Sequence, residues 1–254
     1  MRKKPPITYL LLALVAFFLI GLFSVLIRRN STETLTTSPS VSTSSRKIIL
    51  DSQNTILILG VDEAVSPQPI LHSIWFVSLD YELEEVSLLG FPTNYQHPES
   101  EKTLAESFTW SAISGFDTFD LEPFEDLAPG SLLATIILDE EGFANLIDYV
   151  GGITLNGEPL NGRTVIGVMD MLYDQPEASL TMQAKIIQAI IANASDLGST
   201  PELTPLIALI PEDASISQSA PELASLAIPF LPITPDAFDV ETWVELSTPA
   251  GRNP

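Results

Sequence analysis

The longest uncharged stretch of the sequence restricts most strongly what this chain can fold into. Residues Ile7 to Ile27 include no charged side chain and are nearly all apolar. As a helix rising about 1.5 Å per residue, this stretch spans the ~30 Å hydrocarbon layer of a bilayer. A cleaved signal peptide has a shorter apolar stretch and a small-residue cleavage site, whereas Arg28 and Arg29 follow directly here. The sequence therefore predicts one transmembrane helix over residues 7–27.

The charges beside this helix leave its orientation open. Arg2, Lys3 and Lys4 precede the apolar stretch, and Arg28 and Arg29 follow it. Orientation normally follows the excess of positive charge on the cytoplasmic side. Because the two sides are nearly balanced, charge alone does not decide which side of the membrane the rest of the chain occupies.

The sequence after the helix divides into a tether, one domain and a tail. Residues 28–50 are rich in serine and threonine, a composition that is typical of an unpacked tether. Residues 51–246 are long enough to bury one hydrophobic core, and residues 247–254 form a short tail. The chain has no cysteine, which excludes disulfides and thiolate chemistry without indicating a redox compartment.

The domain is strongly acidic, and this charge limits its partners. After Lys47 the sequence holds four basic residues and 32 acidic residues, a net charge of −28. A surface of this sign repels nucleic acid, so we expect no nucleic-acid partner. The acidic surface has two candidate roles: it keeps the domain in solution, or it binds cations. With two histidines in the whole chain, a zinc-type ligand set is not expected.

Short apolar stretches bounded by turn residues predict strands. Residues 55–60 form one buried strand that ends at a glycine, and residues 133–138 form another. Residues 74–79 and 85–91 flank a turn and predict a hairpin. A further strand is predicted over residues 164–169, where threonine, valine and isoleucine predominate.

Helical patterns alternate with these strands. A helix is predicted over 103–113, and a second follows Asp139 as N-cap and ends at Gly151 and Gly152. The longest helix is predicted over 179–194, where four isoleucines lie at helical spacing. Two more helix starts carry capping boxes at Ser199 and Ser219. Strands that alternate with helices predict an α/β domain with a central, mostly mixed sheet covered by helices.

Several of these segments carry a family resemblance. Residues 54–62 read Asn-Thr-Ile-Leu-Ile-Leu-Gly-Val-Asp, and residues 86–92 read Val-Ser-Leu-Leu-Gly-Phe-Pro. Residues 133–156 run from a strand through Asp-Glu-Glu-Gly-Phe into a helix that ends at Gly-Gly. Together with Gln183 in the long helix, they resemble the LytR-CpsA-Psr domain, and the order of elements agrees over residues 54–245.

The resemblance implies a location and a chemistry. Members of that family have one N-terminal membrane helix and an extracytoplasmic domain, which implies that residues 1–6 are cytoplasmic here. They transfer glycopolymers such as teichoic acids from a polyprenyl-pyrophosphate carrier to the cell wall, using magnesium and a set of arginines. Of the metal-holding acids, Asp62 is in place, so the resemblance implies that a Mg²⁺ ion would bind at Asp62.

The family's arginines are missing from this sequence. The matching positions hold Ala64, Ile70, Thr93, Met169, Ser179 and Met182. In the two motifs whose arginines fall at Ile70 and Thr93, the family's aspartate is also replaced, by His72 and Asn94 respectively. Phosphoryl transfer from a pyrophosphate needs cations that neutralise the phosphate oxygens. The sequence therefore predicts a ligand pocket with reduced phosphate binding, formed by Asp62, His72, Thr93, Asn94, Met169, Ser179 and Gln183.

Two functions stay open at this point. In the first, the domain has a binding or accessory role in cell-wall glycopolymer assembly and contacts a polyprenyl-linked glycopolymer or an envelope protein. In the second, it is an active metal-dependent phosphotransferase with Asp62 as its catalytic residue, and Arg163 or Lys185 reaches the pocket. Asp62 also has a structural reading as a turn cap. His72 is more simply read as a partly buried histidine than as a base.

Overall fold

The computed structural model describes residues 54–98, 100–194, 214–218 and 234–247. The predicted transmembrane helix, the tether and the capping boxes at Ser199 and Ser219 lie outside these ranges. Among the residues that are described, no helix is long and apolar enough to cross a membrane.

Among the described residues, six strands form the main sheet: β1 (Asn54–Val61), β2 (Leu71–Asp80), β3 (Glu85–Phe91), β4 (Ser131–Asp139), β7 (Ala214–Ile216) and β8 (Phe238–Thr242). Their order across the sheet is β7-β4-β1-β2-β3-β8. The β1–β4 and β3–β8 pairs are parallel and the other pairs are antiparallel, which confirms the predicted mixed sheet. A separate two-stranded ribbon pairs β5 (Ile153–Leu155) with β6 (Glu158–Leu160).

Helices and a long loop region cover the two faces of this sheet. The helices are α1 (Leu104–Ser107), α2 (Glu122–Glu125), α3 (Glu140–Tyr149), α4 (Gly162–Asp170), α5 (Pro176–Ala194) and α6 (Trp243–Ser247), with a 3₁₀ turn at Pro235–Ala237. Alternate residues of a strand point to opposite faces, so Ile56 packs with α3 and α5 while Leu57 packs with the region around α1 and α2.

Two predicted connections are confirmed in detail. The β2–β3 hairpin turns at residues 81–84, where Asp80 Oδ1 accepts hydrogen bonds from the backbone N–H groups of Glu82 and Leu83. Asp139 ends β4 and caps α3 by accepting from the backbone N–H of Gly142 at 2.8 Å. After α3, Gly151 and Gly152 adopt positive φ angles, a conformation that glycine takes without steric cost.

The predicted strand over residues 164–169 is wrong, because this segment belongs to helix α4. Asn161 caps the helix through its Oδ1, which accepts from the backbone N–H and the hydroxyl of Thr164. Gly162 lets α4 approach α3 so closely that an added Cβ would overlap the carbonyl oxygen of Ala144. Tertiary packing of this kind overrides the strand propensity of β-branched residues.

The predicted helix over 103–113 is much shorter than expected. Thr103 and Glu106 form a complete capping box, but α1 ends at Ser107 because Phe108 takes an extended backbone conformation. The chain then turns Trp110 into the core, where its side chain is 3% exposed. Burial of the aromatic side chains therefore replaces further helical turns in this segment.

Candidate functional site

A cavity of about 290 Å³ lies between the sheet and helices α3, α4 and α5. This volume is near the lower end of the range for small-molecule sites, roughly 300 to 1,000 Å³. Apolar side chains from all three helices and from four strands form most of its wall. They include Ile58, Trp75, Leu88, Ile136, Leu138, Phe143, Leu146, Ile166, Met169 and Ile187. An arrangement of this kind suits an apolar ligand.

Gln183 holds helix α5 to strand β2 at the cavity wall. Its Oε1 accepts a hydrogen bond from Trp75 Nε1 at 2.9 Å. Its Nε2 donates to the backbone carbonyl of His72 at 3.1 Å and to Ser179 Oγ at 3.2 Å. Gln183 is buried, and both its amide oxygen and its amide nitrogen form hydrogen bonds. The side chain therefore stabilises the wall of the cavity and is not positioned as a mobile catalytic group.

His72 and Glu140 meet at the polar part of the cavity wall. His72 Nδ1 lies 3.4 Å from Glu140 Oε1. The imidazole also contacts the ring of Tyr173, with 5.0 Å between the ring centroids. Among the described residues, the buried His72 Nε2 has no hydrogen-bond partner. The side chain therefore joins β2, α3 and the α4–α5 loop and leaves one buried nitrogen unsatisfied.

Burial favours the neutral form of both side chains at this contact. Burial raises the pKa of Glu140 to about 7, with further contributions from the carboxylates of Asp170, Asp62 and Asp139. Burial lowers the pKa of His72, although Asp62 and Asp170 act in the opposite direction. A strong ion pair would shift both pKa values the other way. At neutral pH the contact is therefore mainly one between an uncharged imidazole and a partly protonated carboxyl group.

Asp62 serves as a loop cap. Its Oδ1 accepts from the backbone N–H groups of Glu63 at 2.8 Å and Ile70 at 2.7 Å, which closes the loop between β1 and β2. Asp139 accepts from the backbone N–H of Ala64 as well as capping α3. This geometry agrees with the interpretation of Asp62 as a turn cap.

The described residues around Asp62 do not form an assembled metal cluster. Magnesium takes near-octahedral oxygen coordination from one or two carboxylates together with water and phosphate oxygens. Here Asp62 and Asp139 are engaged by backbone N–H groups. In the described part of the chain, no group of three or more histidine, aspartate or glutamate side chains is arranged to hold a metal ion. Mg²⁺ at Asp62 stays a prediction from the family resemblance.

The structure gathers five of the seven predicted pocket residues. They are His72, Thr93, Met169, Ser179 and Gln183, and all of them line the cavity. Asp62 and Asn94 do not line it, and Asn94 is exposed.

The cavity wall contains no lysine or arginine from the described residues. Arg163 and Lys185 are both exposed and neither reaches the wall. Of the positions that match the family's arginines, Ile70, Thr93, Met169 and Ser179 do line the cavity, whereas Ala64 is buried beside Asp139. The cavity therefore has the positions for phosphate-binding side chains but lacks their charges.

Sequence reasoning missed three residues of this site. Glu140 directly follows the predicted N-cap Asp139, and its position in the first turn of α3 was the available signal. Tyr173 lies in the loop between α4 and α5. This loop was not predicted, because residues 164–169 were assigned to a strand and not to helix α4. Trp75 belongs to a correctly predicted strand, but its hydrogen bond to Gln183 joins residues 108 positions apart.

Solved structures of LytR-CpsA-Psr proteins are similar to this fold. A LytR-Csp2A-Psr enzyme from Actinomyces oris matches with a TM-score of 0.53 at 16% identity, over 76% of this chain and 82% of that chain. TagV of B. subtilis gives 0.53 at 18% identity, over 74% and 83%. TagT, solved bound to LIIa-WTA, gives 0.55 at 10% identity, over 84% of each chain. No family model and no curated protein sequence matches the chain. The described domain thus has a LytR-CpsA-Psr-like fold, as the sequence resemblance predicted.

Proposed function

We propose that this chain is a cell-envelope protein whose domain binds the lipid part of a glycopolymer carrier, or a related lipid, without transferring the polymer. The observation that carries this proposal is the cavity of about 290 Å³, which has a mainly apolar wall and no lysine or arginine from the described residues. TagT has a similar fold and was solved with LIIa-WTA bound. The proposed role is therefore an accessory one in cell-wall glycopolymer assembly.

The energetics of phosphate binding support a non-catalytic role. A hydrogen bond to a charged group contributes about 1.5 to 3 kcal/mol. The loss of several arginines therefore weakens pyrophosphate binding by more than about 5 kcal/mol. The carboxylates near the His72–Glu140 contact add repulsion. An apolar chain loses none of its favourable burial through these changes, because burial depends on the apolar wall.

Anchoring in the membrane and an extracytoplasmic location are part of the proposal. An apolar stretch at residues 7–27 followed by a serine- and threonine-rich tether would keep the cavity close to the bilayer that contains the lipid. Protease added to intact spheroplasts is expected to release the acidic domain by cutting within residues 30–47. Protection of the domain would place it on the cytoplasmic side and contradict this part of the proposal.

A hydrolase is the second candidate, and one observation favours it. Glu140 lines the cavity and has a pKa of about 7, which is suited to proton transfer near neutral pH. A pyrophosphate would still need cationic partners to bind beside this carboxyl group. We therefore rank an enzymatic role below lipid binding.

The experiment uses the full chain in phosphatidylcholine nanodiscs. A photoreactive hydrocarbon without a head group should label residues of the cavity wall. Labelling should decrease in the variant Ile166→Trp, because the larger side chain fills the cavity from α4. It should not decrease in Arg163→Trp, which lies on the exposed side of the same helix. A polyprenyl pyrophosphate should release no phosphate, with or without Mg²⁺. Absence of cavity labelling would refute lipid binding, and metal-dependent phosphate release that Asp62→Ala abolishes would favour the enzyme.

A further inference from the structure

We infer that the cavity takes a long-chain lipid whose head group is an uncharged hydroxyl, that is, a long-chain alcohol and not its phosphate or pyrophosphate. This inference rests on the proposed lipid-binding function and specifies the ligand of the same site. It depends on the placement of the apolar wall beside the His72–Glu140 contact, on the hydroxyl side chains near them, and on the charges around that contact.

The apolar wall can accept only the hydrocarbon part of a ligand. Trp75, Leu88 and Ile136 form the floor on the sheet, and Phe143 and Ile187 cover it from α3 and α5. Two of these side chains, Leu88 and Ile136, are 2% and 1% exposed and belong to the main hydrophobic core. A polar head group placed among them would lose its hydration without gaining hydrogen bonds. The head must therefore lie at the His72–Glu140 end.

Several uncharged polar groups also line the cavity. Ser73, Thr93 and Ser179 line the cavity, and each carries a hydroxyl that can both donate and accept hydrogen bonds. The Ser179 oxygen accepts from Gln183 Nε2, so its own proton remains available to a ligand oxygen. Hydroxyl groups of this kind match a neutral head group.

The imidazole of His72 selects for a group that can both donate and accept. Its Nε2 is buried without a partner among the described residues, and its Nδ1 faces Glu140 Oε1. If the carboxyl group donates to Nδ1, then Nε2 carries a proton and needs an acceptor. If Nδ1 donates to the carboxylate, then Nε2 needs a donor. A hydroxyl meets both needs, whereas a fully ionised phosphate accepts only and a primary ammonium donates only.

The surrounding charge disfavours an anionic head. Asp62, Asp139 and Asp170 all act electrostatically on Glu140, and in the structure as described no lysine or arginine lines the cavity to offset them. Repulsion between like charges is strong where part of the environment is apolar. Charge alone would also permit a cation, so an amine-headed lipid is the alternative that an experiment must test.

Three photoreactive probes with one common decyl chain would test this inference. Their head groups are a hydroxyl, a phosphate and a primary ammonium, and each is incorporated at the same membrane concentration with the full chain in phosphatidylcholine nanodiscs. We expect the alcohol to label the cavity wall at least fivefold more than either charged probe. His72→Phe should reduce alcohol labelling at least threefold and leave labelling by the hydrocarbon without a head group unchanged.

Each result has a defined meaning. Stronger labelling by the phosphate or by the ammonium probe would overturn the hydroxyl assignment but leave lipid binding intact. Equal labelling by all three probes would overturn it as well, since the head group would then not be recognised. If the headless hydrocarbon also fails to label, the proposed function itself fails. If His72→Phe unfolds the domain, His72→Gln, which keeps hydrogen-bonding capacity, provides the second variant and should retain more than half of the alcohol labelling.

Discussion

Glu140 Oε1 lies 3.4 Å from His72 Nδ1, and the pKa values of the two groups shift in the directions that disfavour an ion pair. The first residue of α3 and the second residue of β2 thus form a contact that exists mainly in its uncharged state near neutral pH. Because both side chains line the cavity, we expect the stability of the domain to depend on pH through groups in the cavity wall.

A fragment that begins at residue 48 is expected to fold without the apolar N-terminal stretch. Every described strand and helix lies after this point, and the first strand begins at Asn54. The fragment should show cooperative thermal unfolding and a circular dichroism spectrum of mixed helix and sheet. Aggregation without a cooperative transition would contradict the predicted domain boundary. The stability measurements below use this fragment.

Glu140→Gln should stabilise the domain more at pH 8 than at pH 5. The pKa of Glu140 is raised from 4.5 to about 7 in the folded state, so the unfolded chain releases the proton first and stability is lost as pH rises through that window. Allowing for solvent screening of a partly exposed group, we expect a gain of about 1 to 2 kcal/mol at pH 8.

The control for this prediction is Glu141→Gln, an exposed position next to Glu140. Its unfolding free energy should change by the same small amount at both pH values. The lowered pKa of His72 acts in the opposite sense, because stability is then lost as pH falls below 6.5. A difference between variant and parent that does not grow between pH 5 and pH 8 would disprove the raised pKa of Glu140.

Gln183→Met should destabilise the domain although methionine fills a similar volume. The change leaves the buried Trp75 Nε1 without its acceptor, and it removes the donor to the His72 carbonyl. A buried unsatisfied group costs about 1 to 3 kcal/mol. Urea unfolding monitored by circular dichroism measures the loss. Gln188→Met, at an exposed position of the same helix, should have an effect near zero.

Two glycines in α4 should respond in opposite directions to alanine. At Gly162 an added Cβ would overlap the Ala144 carbonyl oxygen, so Gly162→Ala must separate α3 from α4 and should destabilise by about 1 to 3 kcal/mol. At Gly167 nothing lies within 4 Å of the Cβ position. Gly167→Ala should therefore stabilise the helix by about 0.5 to 1 kcal/mol. Thermal unfolding of both variants tests the close helix packing, and equal effects would argue against it.

The double variant Thr93→Arg with Met169→Arg should gain affinity for a pyrophosphate-headed lipid. Both side chains line the cavity and both are only partly buried, so arginines could reach a head group there. Two charge-assisted contacts predict at least a tenfold tighter dissociation constant, measured by competition for the cavity in nanodiscs.

The matched control for the arginine prediction is Asn94→Arg with Met171→Arg. It adds the same charge at exposed positions outside the cavity wall. If the control gains as much affinity as the cavity variant, the effect comes from net charge and not from the cavity. Ala64 and Ser179 are less suitable for arginine because they are 5% and 8% exposed.

The site could be predicted only where it repeats a family pattern. Residues at five of the expected positions, among them His72 and Gln183, do gather at one cavity. Asn94 does not, because the turn after β3 directs it to solvent, and Asp62 caps its own loop. The role of Glu140 could not be predicted, because it depends on burial and on the carboxylates of Asp170 and Asp62, which are distant in sequence.

The sequence by itself determined the elements whose signals are local. The periodicity of β1, the β2–β3 hairpin, the Asp139 cap of α3 and the isoleucine pattern of α5 all appear in the structure as predicted. Only the tertiary structure decided that residues 164–169 form a helix and that α1 ends at Ser107. In both segments the intrinsic preference is weak, so the contact of Gly162 with Ala144 and the burial of Trp110 determine the backbone conformation.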